Sequence, residues 1–435
     1  MSGVAERLVA AGMSPAEAAR KEALFARAAP EFPGSEWACF VPGRVELLGK
    51  HTDYAGGRSL LCATERGICF LGRARDDPEL HLTDVAQGSR IALSLRSHRQ
   101  PPAGSWVIYP VTVARRLARD FGITRGIDLA FASDLPLAAG LSSSTALCLG
   151  VYSALAFANR LEEHPAYRSA IANRFALADY LGCVENGRPF GPFPGDVGAG
   201  ILGGSQDQTA ILGAQPGELL QCSFIPARPE RRLPFPAGHT LVIAASGVLA
   251  EKHHATRDAY NAAANAVGEI VRRWQHATGR GDQTLAAALT SSPAARQRLE
   301  ELVAGEPVLA ARLEQFVTES ERLVPAAGDA VLAGDLDAFG TVVDRSHAGA
   351  DRGLRNQIPE TNHLQRSARW LGAVAASAFG AGFGGSVWAM VLAERAEGFL
   401  RDWSADYLQA FPPHAGRAEF FTTAAGPPLL SIGNP

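Results

Sequence analysis

Gly43-Arg44-Val45-Glu46-Leu47-Leu48-Gly49-Lys50-His51-Thr52-Asp53-Tyr54-Ala55-Gly56-Gly57 concentrates more chemistry in one window than any comparable stretch of the chain. An apolar Val/Leu segment runs to a glycine, and Lys, His, Thr, Asp and Tyr then follow one another before two more glycines release the chain. This is the pattern of a strand delivering polar groups to a turn.

On the N-terminal side, Trp37 to Leu48 reads as a strand interrupted by Pro42-Gly43. Before it, Ser14-Pro15-Ala16-Glu17 has the parts of a helix start: a Ser N-cap, Pro in the first turn and Glu three residues on. A helix to about Arg27 is expected. On the C-terminal side, residues 59 to 74 read as two short strands broken by Gly67, and Ile91, Leu93 and Leu95 recur at period two as in a half-buried strand. Trp106 to Phe121 shifts to helical spacing and Ile127 to Ala132 returns to strand. This mixture without a regular βαβ rhythm predicts an α+β fold. The run Gly187 to Gly195 is too rich in Gly and Pro for regular structure and must be a loop. Leu219 to Phe224 and Leu241 to Ser246 read as strands. The Pro-rich run Pro226 to Pro236 between them marks the expected boundary, giving two domains, 1–225 and 226–435. Helices are expected at Tyr260–Gln275, Leu285–Leu289, Ala310–Leu323, Pro325–Leu336 and Phe399–Phe411, with a strand at Ser386–Leu392.

The composition bounds the partners. With 435 residues, 47% of them hydrophobic, and a formal net charge of −3, the chain has core enough for two or three domains and no basic block for nucleic acid or an anionic membrane. Six cysteines without a C-x-x-C pair read as buried thiols of a cytoplasmic protein. No apolar run reaches a membrane span, and the N-terminus lacks a signal pattern. A small-molecule substrate is expected, with the protein a monomer or homodimer. Lys21, Lys50 and Lys252 are the only lysines, so a lysine within the opening stretch is a rare event here.

Two further glycine clusters carry chemistry. Leu135-Pro136-Leu137-Ala138-Ala139-Gly140-Leu141-Ser142-Ser143-Ser144-Thr145-Ala146 leads into an amphipathic helix expected from Ser143 to Arg160. Free backbone N–H groups and hydroxyls at a helix start converge on one point where the helix dipole favours an anion, phosphate above all; serines that merely cap a helix would look the same. No Gly-Lys-Ser/Thr follows, so this is not a Walker loop. Gly380-Ala381-Gly382-Phe383-Gly384-Gly385 reads either as close backbone approach to a ligand or as a tight turn.

Taken in this order, the three clusters resemble the motifs of the GHMP kinases and, within them, the galactokinases. Gly204-Ser205-Gln206-Asp207-Gln208, Asp258-Ala259-Tyr260-Asn261, and Ser346-His347 with Pro359-Glu360 extend the match over most of the chain. The resemblance implies a two-domain fold, the N-terminal half like ribosomal protein S5 domain 2 and the C-terminal half helical plus sheet. It also implies transfer of the γ-phosphoryl of MgATP to the anomeric hydroxyl of a hexose in the cleft between the halves. Carried over by motif, Asp207 is the catalytic base and Arg44 the catalytic arginine. Ser144 and Glu185 hold Mg²⁺, and Gly140, Leu141, Ser142, Ser143 and Ser144 form the phosphate loop. Trp106 lines the adenine pocket, while His51, Asp53, Gly204 and Tyr260 contact the hexose. For Glu185 a solvated loop carboxylate, and for Trp106 a core tryptophan, are the competing readings.

One position departs from the family. Galactokinases usually read Gly-Glu-His-Thr-Asp, where the glutamate accepts a hydrogen bond from the C6 hydroxyl; here Gly49-Lys50-His51-Thr52-Asp53 inverts the charge. An ammonium there suits a C6 carboxylate, which makes Lys50 a candidate substrate-binding residue and an acidic hexose such as galacturonate a candidate substrate. The competing reading pairs Lys50 with a nearby carboxylate such as Glu46. A sugar sensor without catalysis is the alternative from another class, disfavoured by the intact Ser142-Ser143-Ser144.

Overall fold

The computed structural model describes residues 3–97, 101–102, 104–136, 139–248 and 254–433. Two sheets organise the chain. The first takes β1 (Trp37–Leu48), β2 (Arg58–Ala74), β3 (Glu79–Asp84), β4 (Ser89–Ser94), β5 (Ile127–Ser133), β6 (Glu218–Ser223) and β7 (Arg228–Pro234). The second is built from β8 (His239–Ala245), β9 (Ala375–Phe379), β10 (Ser386–Leu392) and β11 (Glu419–Thr423), and the C-terminal β12 (Leu430–Gly433) returns to the first.

In the first sheet the order is β12-β1-β2-β5-β3-β4, with β6 beside the start of β2 and β7 beside β6. Every pairing is antiparallel except β3 with β5. The second sheet runs β11-β8-β10-β9, all antiparallel. This is the expected α+β architecture. A division at 225/226 separates the two sheets except for β7, which the Pro-rich run places on the first sheet, and β12, which rejoins it from the far end of the chain.

Helix Ser143–Asn159 packs on the first sheet and helix Ile108–Phe121 packs on that helix, and the largest core cluster runs from Val45, Leu47 and Phe70 through Leu149 to Leu241, Trp388 and Met390 of the second. The two sheets therefore share one continuous apolar interior. Behind the second sheet, helices Pro359–Trp370 and Ala396–Ala410 bury Leu364, Phe399, Trp403 and Tyr407 in a separate cluster.

Residues 59 to 74 do not form two strands. β2 is continuous, and Gly67 lies within it because a Cβ there would sit 2.3 Å from the Val41 carbonyl oxygen, so the glycine permits close approach of β1 rather than a break. β1 keeps its length through Pro42-Gly43 by slipping register at Pro42/Arg44 and again at Glu46/Leu48. The helix expected from Ser14 runs Pro15–Ala28, but the Ser14 side chain makes no cap bond and Glu17 turns instead to Lys21, at 2.8 Å.

The helices expected over 310–323 and 325–336 run together through a widened π segment, Val317–Leu323, that joins Pro307–Phe316 to Val324–Ala333. Among the described residues, seven α-helices lay outside the sequence reading: Val4–Ala10, Pro165–Ala170, Arg174–Asn186, Gln206–Gly213, Ala295–Val303, Leu336–Gly349 and Pro359–Trp370. No helix among the described residues is long and apolar enough to cross a membrane.

Candidate active site

β1 sorts its side chains by alternation. Val45 and Leu47 enter the core, while Arg44 and Glu46 point into a cleft between the two sheets. The same cleft is lined by His51 and Asp53 from the turn after β1, by Gly140 and Ser142 to Thr145, by Glu185, Gly204 and Asp207, by Tyr260, and by Phe379 to Gly382 with Gly384 and Gly385. Leu137 and Ala138 of the serine loop lie outside the described residues.

The loop and the third glycine cluster pack on each other. Gly43 has no room for a Cβ, since Leu141 O would lie 2.9 Å away, and Gly140 and Gly380 approach each other with comparable closeness, a Cβ on Gly380 lying 3.1 Å from Gly140 O. Ser386 Oγ donates to Ala139 O at 2.5 Å. The third cluster thus brings the β9–β10 hairpin against the serine loop, so both glycine-rich segments meet at one cleft wall.

Asp207 sits in the first turn of helix Gln206–Gly213. Arg44 Nε donates to its Oδ1 at 2.6 Å, Ser142 Oγ donates to its Oδ2, and Arg44 Nη1 reaches back to Gly140 O. Burial alone would lower the Arg44 pKa, but the adjacent Asp207 carboxylate more than offsets this and holds the guanidinium above its ordinary value. Ser142 adopts φ 61, which turns its hydroxyl to Asp207 instead of to the helix it precedes; it makes no side-chain cap bond. The plain-cap reading of that serine therefore does not hold.

The turn after β1 is clamped from the far half of the chain. Glu319, in the π segment, accepts from Gly49 N at 2.7 Å and Lys50 N at 3.3 Å; Gln315 Nε2 donates to Lys50 O at 3.2 Å; Arg312 Nη2 donates to His51 O at 2.5 Å and Tyr54 Oη at 3.1 Å. Gly49, at φ 106 and with Ser59 where a Cβ would go, has to be glycine.

His51 Nδ1 lies 2.9 Å from Tyr54 Oη and Nε2 3.2 Å from Ala381 O, an arrangement that suits Nε2–H donating to the carbonyl and Nδ1 accepting the phenol. Burial, and then the Arg312 charge, push the imidazole down to about 3, so it is neutral. Asp53 Oδ2 accepts from Gly204 N at 3.0 Å and Gln206 N at 3.3 Å; burial raises its pKa against the pull of these bonds, and Asp207 adds to the rise. Gly204 leaves no space for a side chain, because Asp53 would lie 2.6 Å from it. The Tyr260 ring lies 4.8 Å from that of His51, the two planes tilted by 46°.

Glu185 Oε2 accepts from Thr145 Oγ1 at 3.0 Å and Gln208 Nε2 at 2.9 Å, on the cleft wall that also carries Ser144. These are hard oxygen donors, and among the described residues no group of three or more His, Cys, Asp or Glu side chains could hold a metal ion by itself. That donor set fits Mg²⁺, which takes one or two protein oxygens and completes its shell with phosphate oxygens and water.

Three expected site residues stand apart from the cleft lining. Leu141 is buried in the core, its carbonyl taken by Arg44 N at 3.3 Å. Trp106 packs edge-on against Phe131, 6.3 Å between ring centres. Lys50 is 2% exposed, with Nζ 3.7 Å from Glu46 Oε1. The sequence reading named Glu46 only as a partner for Lys50, yet Glu46 itself lines the cleft; its alternation with Val45 and Leu47 along β1 was the available signal. The loop 188–196 is fixed to helix Ile108–Phe121: Arg115 Nε donates to Asp196 at 3.0 Å, Arg116 Nη1 to Arg188 O at 3.1 Å and Arg119 Nη1 to Gly195 O at 2.9 Å.

Comparison with known proteins agrees with this geometry. The galactokinase galactose-binding signature matches residues 27–74, the GHMP kinases N terminal domain residues 108–204 and the GHMP kinases C terminal domain residues 328–409. Galactokinase of Chloroflexus aurantiacus is 29% identical over 364 residues, covering 83% of this chain and 85% of its own. That of Thermococcus kodakarensis is 28% identical, covering 86% and 94%. The crystal structure of Lactococcus lactis galactokinase complexed with galactose superposes with a TM-score of 0.75 at 24% identity, over 92% of this chain and 97% of that one, and shows the shared fold. The signature falls on β1, its turn and β2, and the two domain matches flank the cleft. The chain belongs to the GHMP kinases, within them to the galactokinase family.

Proposed function

We propose that this sugar-1-kinase transfers the γ-phosphoryl group of ATP to the anomeric hydroxyl of a galactose-type hexose, with Asp207 as the base. The observation that carries the assignment is the Arg44–Asp207–Ser142 cluster at the centre of the cleft. Asp207 has both oxygens hydrogen-bonded, and its carboxylate is the group in the cleft placed to take the proton of the attacking hydroxyl. Arg44 pairs with Asp207 and offsets charge that develops on the phosphoryl group.

Gly140 and Ser142 to Ser144 bind the phosphates through backbone N–H groups and hydroxyls at the start of helix Ser143–Asn159. Ser144 and Glu185 would hold Mg²⁺, which neutralises phosphate charge when bound. Trp106 is the candidate for the adenine end. His51, Asp53, Gly204 and Tyr260 bind the hexose: a carboxylate, a neutral imidazole and a phenol supply paired acceptors and donors for hydroxyls.

At the C6 end the neutral hexose has the stronger support, because Glu46 stands beside Lys50 and meets its charge, and Glu46 is the one that lines the cleft. One observation favours an acidic hexose such as galacturonate: Lys50 Nζ is buried without a hydrogen-bond partner. Steady-state kinetics with galactose, galacturonate, glucuronate and N-acetylgalactosamine test both. A kcat/KM for galactose about tenfold or more above the others, a gap of roughly 1.4 kcal/mol, ends the acidic reading, and the reverse order ends the neutral one. A sugar sensor without catalysis has no supporting observation beside the assembled cluster; sugar binding with background ATP consumption for every hexose would establish it.

A further inference from the structure

Glu46 and Lys50 pose a problem in hydrogen bonding. Both side chains are 2% to 3% exposed, they approach to 3.7 Å, and neither Glu46 Oε1 nor Lys50 Nζ has a hydrogen-bond partner. A buried charge pair at this separation gains Coulomb attraction but leaves hydrogen-bonding capacity unused, and burial of such capacity costs stability unless a partner arrives. The pair is not symmetric. Glu46 lies on the cleft wall, two residues along β1 from Arg44, whereas Lys50 sits behind it with its backbone taken by Glu319 and Gln315.

We propose that Glu46 is a specificity-determining residue of the hexose site, its carboxylate accepting a hydrogen bond from a ring or C6 hydroxyl, and that Lys50 acts through Glu46 as a positioning residue. This rests on the hexose-kinase reading above and names which side chain reads the sugar. Burial raises the Glu46 pKa to about 7 against the pull of Lys50 and Arg44, so the carboxylate is a strong acceptor whose ionised form depends on its neighbours. A substrate hydroxyl supplies the donor that the protein itself withholds. The cation of Lys50 then serves the acceptor and makes no contact with the sugar.

The test is a coupling experiment. Galactose and each monodeoxy galactose that keeps its C1 hydroxyl are assayed with wild type, Glu46→Gln and Lys50→Met, reading kcat and KM for sugar and for ATP. With wild type, one deoxy sugar should lose about tenfold to a hundredfold in kcat/KM, carried by KM. Glu46→Gln should lose a similar factor with galactose, keep its KM for ATP, and show less than threefold further loss with that same deoxy sugar. Lys50→Met should lose less than Glu46→Gln with galactose and keep the same deoxy-sugar selectivity in weakened form. A merely structural role for Glu46 would lower activity equally for every sugar.

Equal losses across the series with wild-type turnover of galactose would overturn the assignment of Glu46 alone. Turnover of no hexose by wild type would overturn the hexose-kinase reading and this assignment with it. Should Glu46→Gln fail to fold, the Lys50→Met series and calorimetric binding of the deoxy sugars to wild type decide: no deoxy sugar weaker than the rest, or selectivity in Lys50→Met equal to wild type, overturns the proposal.

Discussion

Asp207 and the turn that carries His51 and Asp53 face the same cleft, yet they are held by different means. The Asp207 side chain keeps 30% of its surface exposed and is fixed by Arg44 and Ser142. The turn is buried, and its backbone is gripped by Arg312, Gln315 and Glu319 from the opposite half of the chain. A group that must exchange a proton needs access and a few strong, directed bonds, whereas a surface that reads hydroxyls needs its geometry fixed before the sugar arrives. The difference teaches that the phosphate end depends on side-chain chemistry and the sugar end on backbone placement, so substitutions at the two ends should fail in different ways.

The largest effect is expected at the open end. Asp207→Asn should lower kcat by about 10² to 10⁴ with hexose binding by calorimetry within about threefold of wild type; turnover at the wild-type rate would remove Asp207 as base. Arg44→Met should lower kcat by about 10² to 10³, because the phosphoryl group loses a fixed cation and Asp207 loses its charge partner.

At the clamped end the signature should move from kcat to KM and stability. Arg312→Met leaves His51 O and Tyr54 Oη without their donor, at about 1–3 kcal/mol per buried group. A lower Tm and a higher KM for hexose are expected while KM for ATP holds, and an equal rise in both would erase the contrast between the two ends. Glu319→Gln keeps one acceptor oxygen for Gly49 and Lys50 and should act in the same direction by about 1 kcal/mol, read by denaturant unfolding.

The smallest effect is a pH dependence. The folded-state pKa of Glu46, about 7, lies above the ordinary carboxylate value, so between those two pH values the folded protein binds more protons than the unfolded chain. Its contribution to stability is full below the ordinary value and is lost as pH rises to about 7. The Tm of wild type relative to Glu46→Gln should therefore fall from pH 5 to pH 8. A difference that stays flat, or rises, contradicts the raised pKa.

Much of this was legible in the chain. The apolar Val/Leu segment marked β1 and the Gly49 turn marked its end, since a left-handed φ and a missing Cβ leave a sequence trace. The third glycine cluster read equally as close approach to a ligand or as a tight turn, and nothing in it showed that it would meet the serine loop. β2 was misread because Gly67 looks the same in a break as in a continuous strand with a close neighbour. Helix Gln206–Gly213, which presents Asp207, is too short and too polar to show helical spacing. Loop 188–196 gave no hint that three arginines of one helix would secure it.

The sequence by itself determined which residue types reach the cleft, because motif spacing and strand alternation are local and period two sends Arg44 and Glu46 to the same face. Only the tertiary structure decided the partners. Arg44 meets Asp207 across 163 residues, and Glu319 meets Gly49 across 270. Lys50, whose charge suggests a substrate contact, is turned onto Glu46, a choice made by the packing around β1 and its turn and by nothing local to that position. Burial is a property of the assembled core: Glu46 and Lys50 share one window of sequence, but only the packing around that window encloses them together, while Arg44 with Asp207 and Gly49 with Glu319 share no window at all.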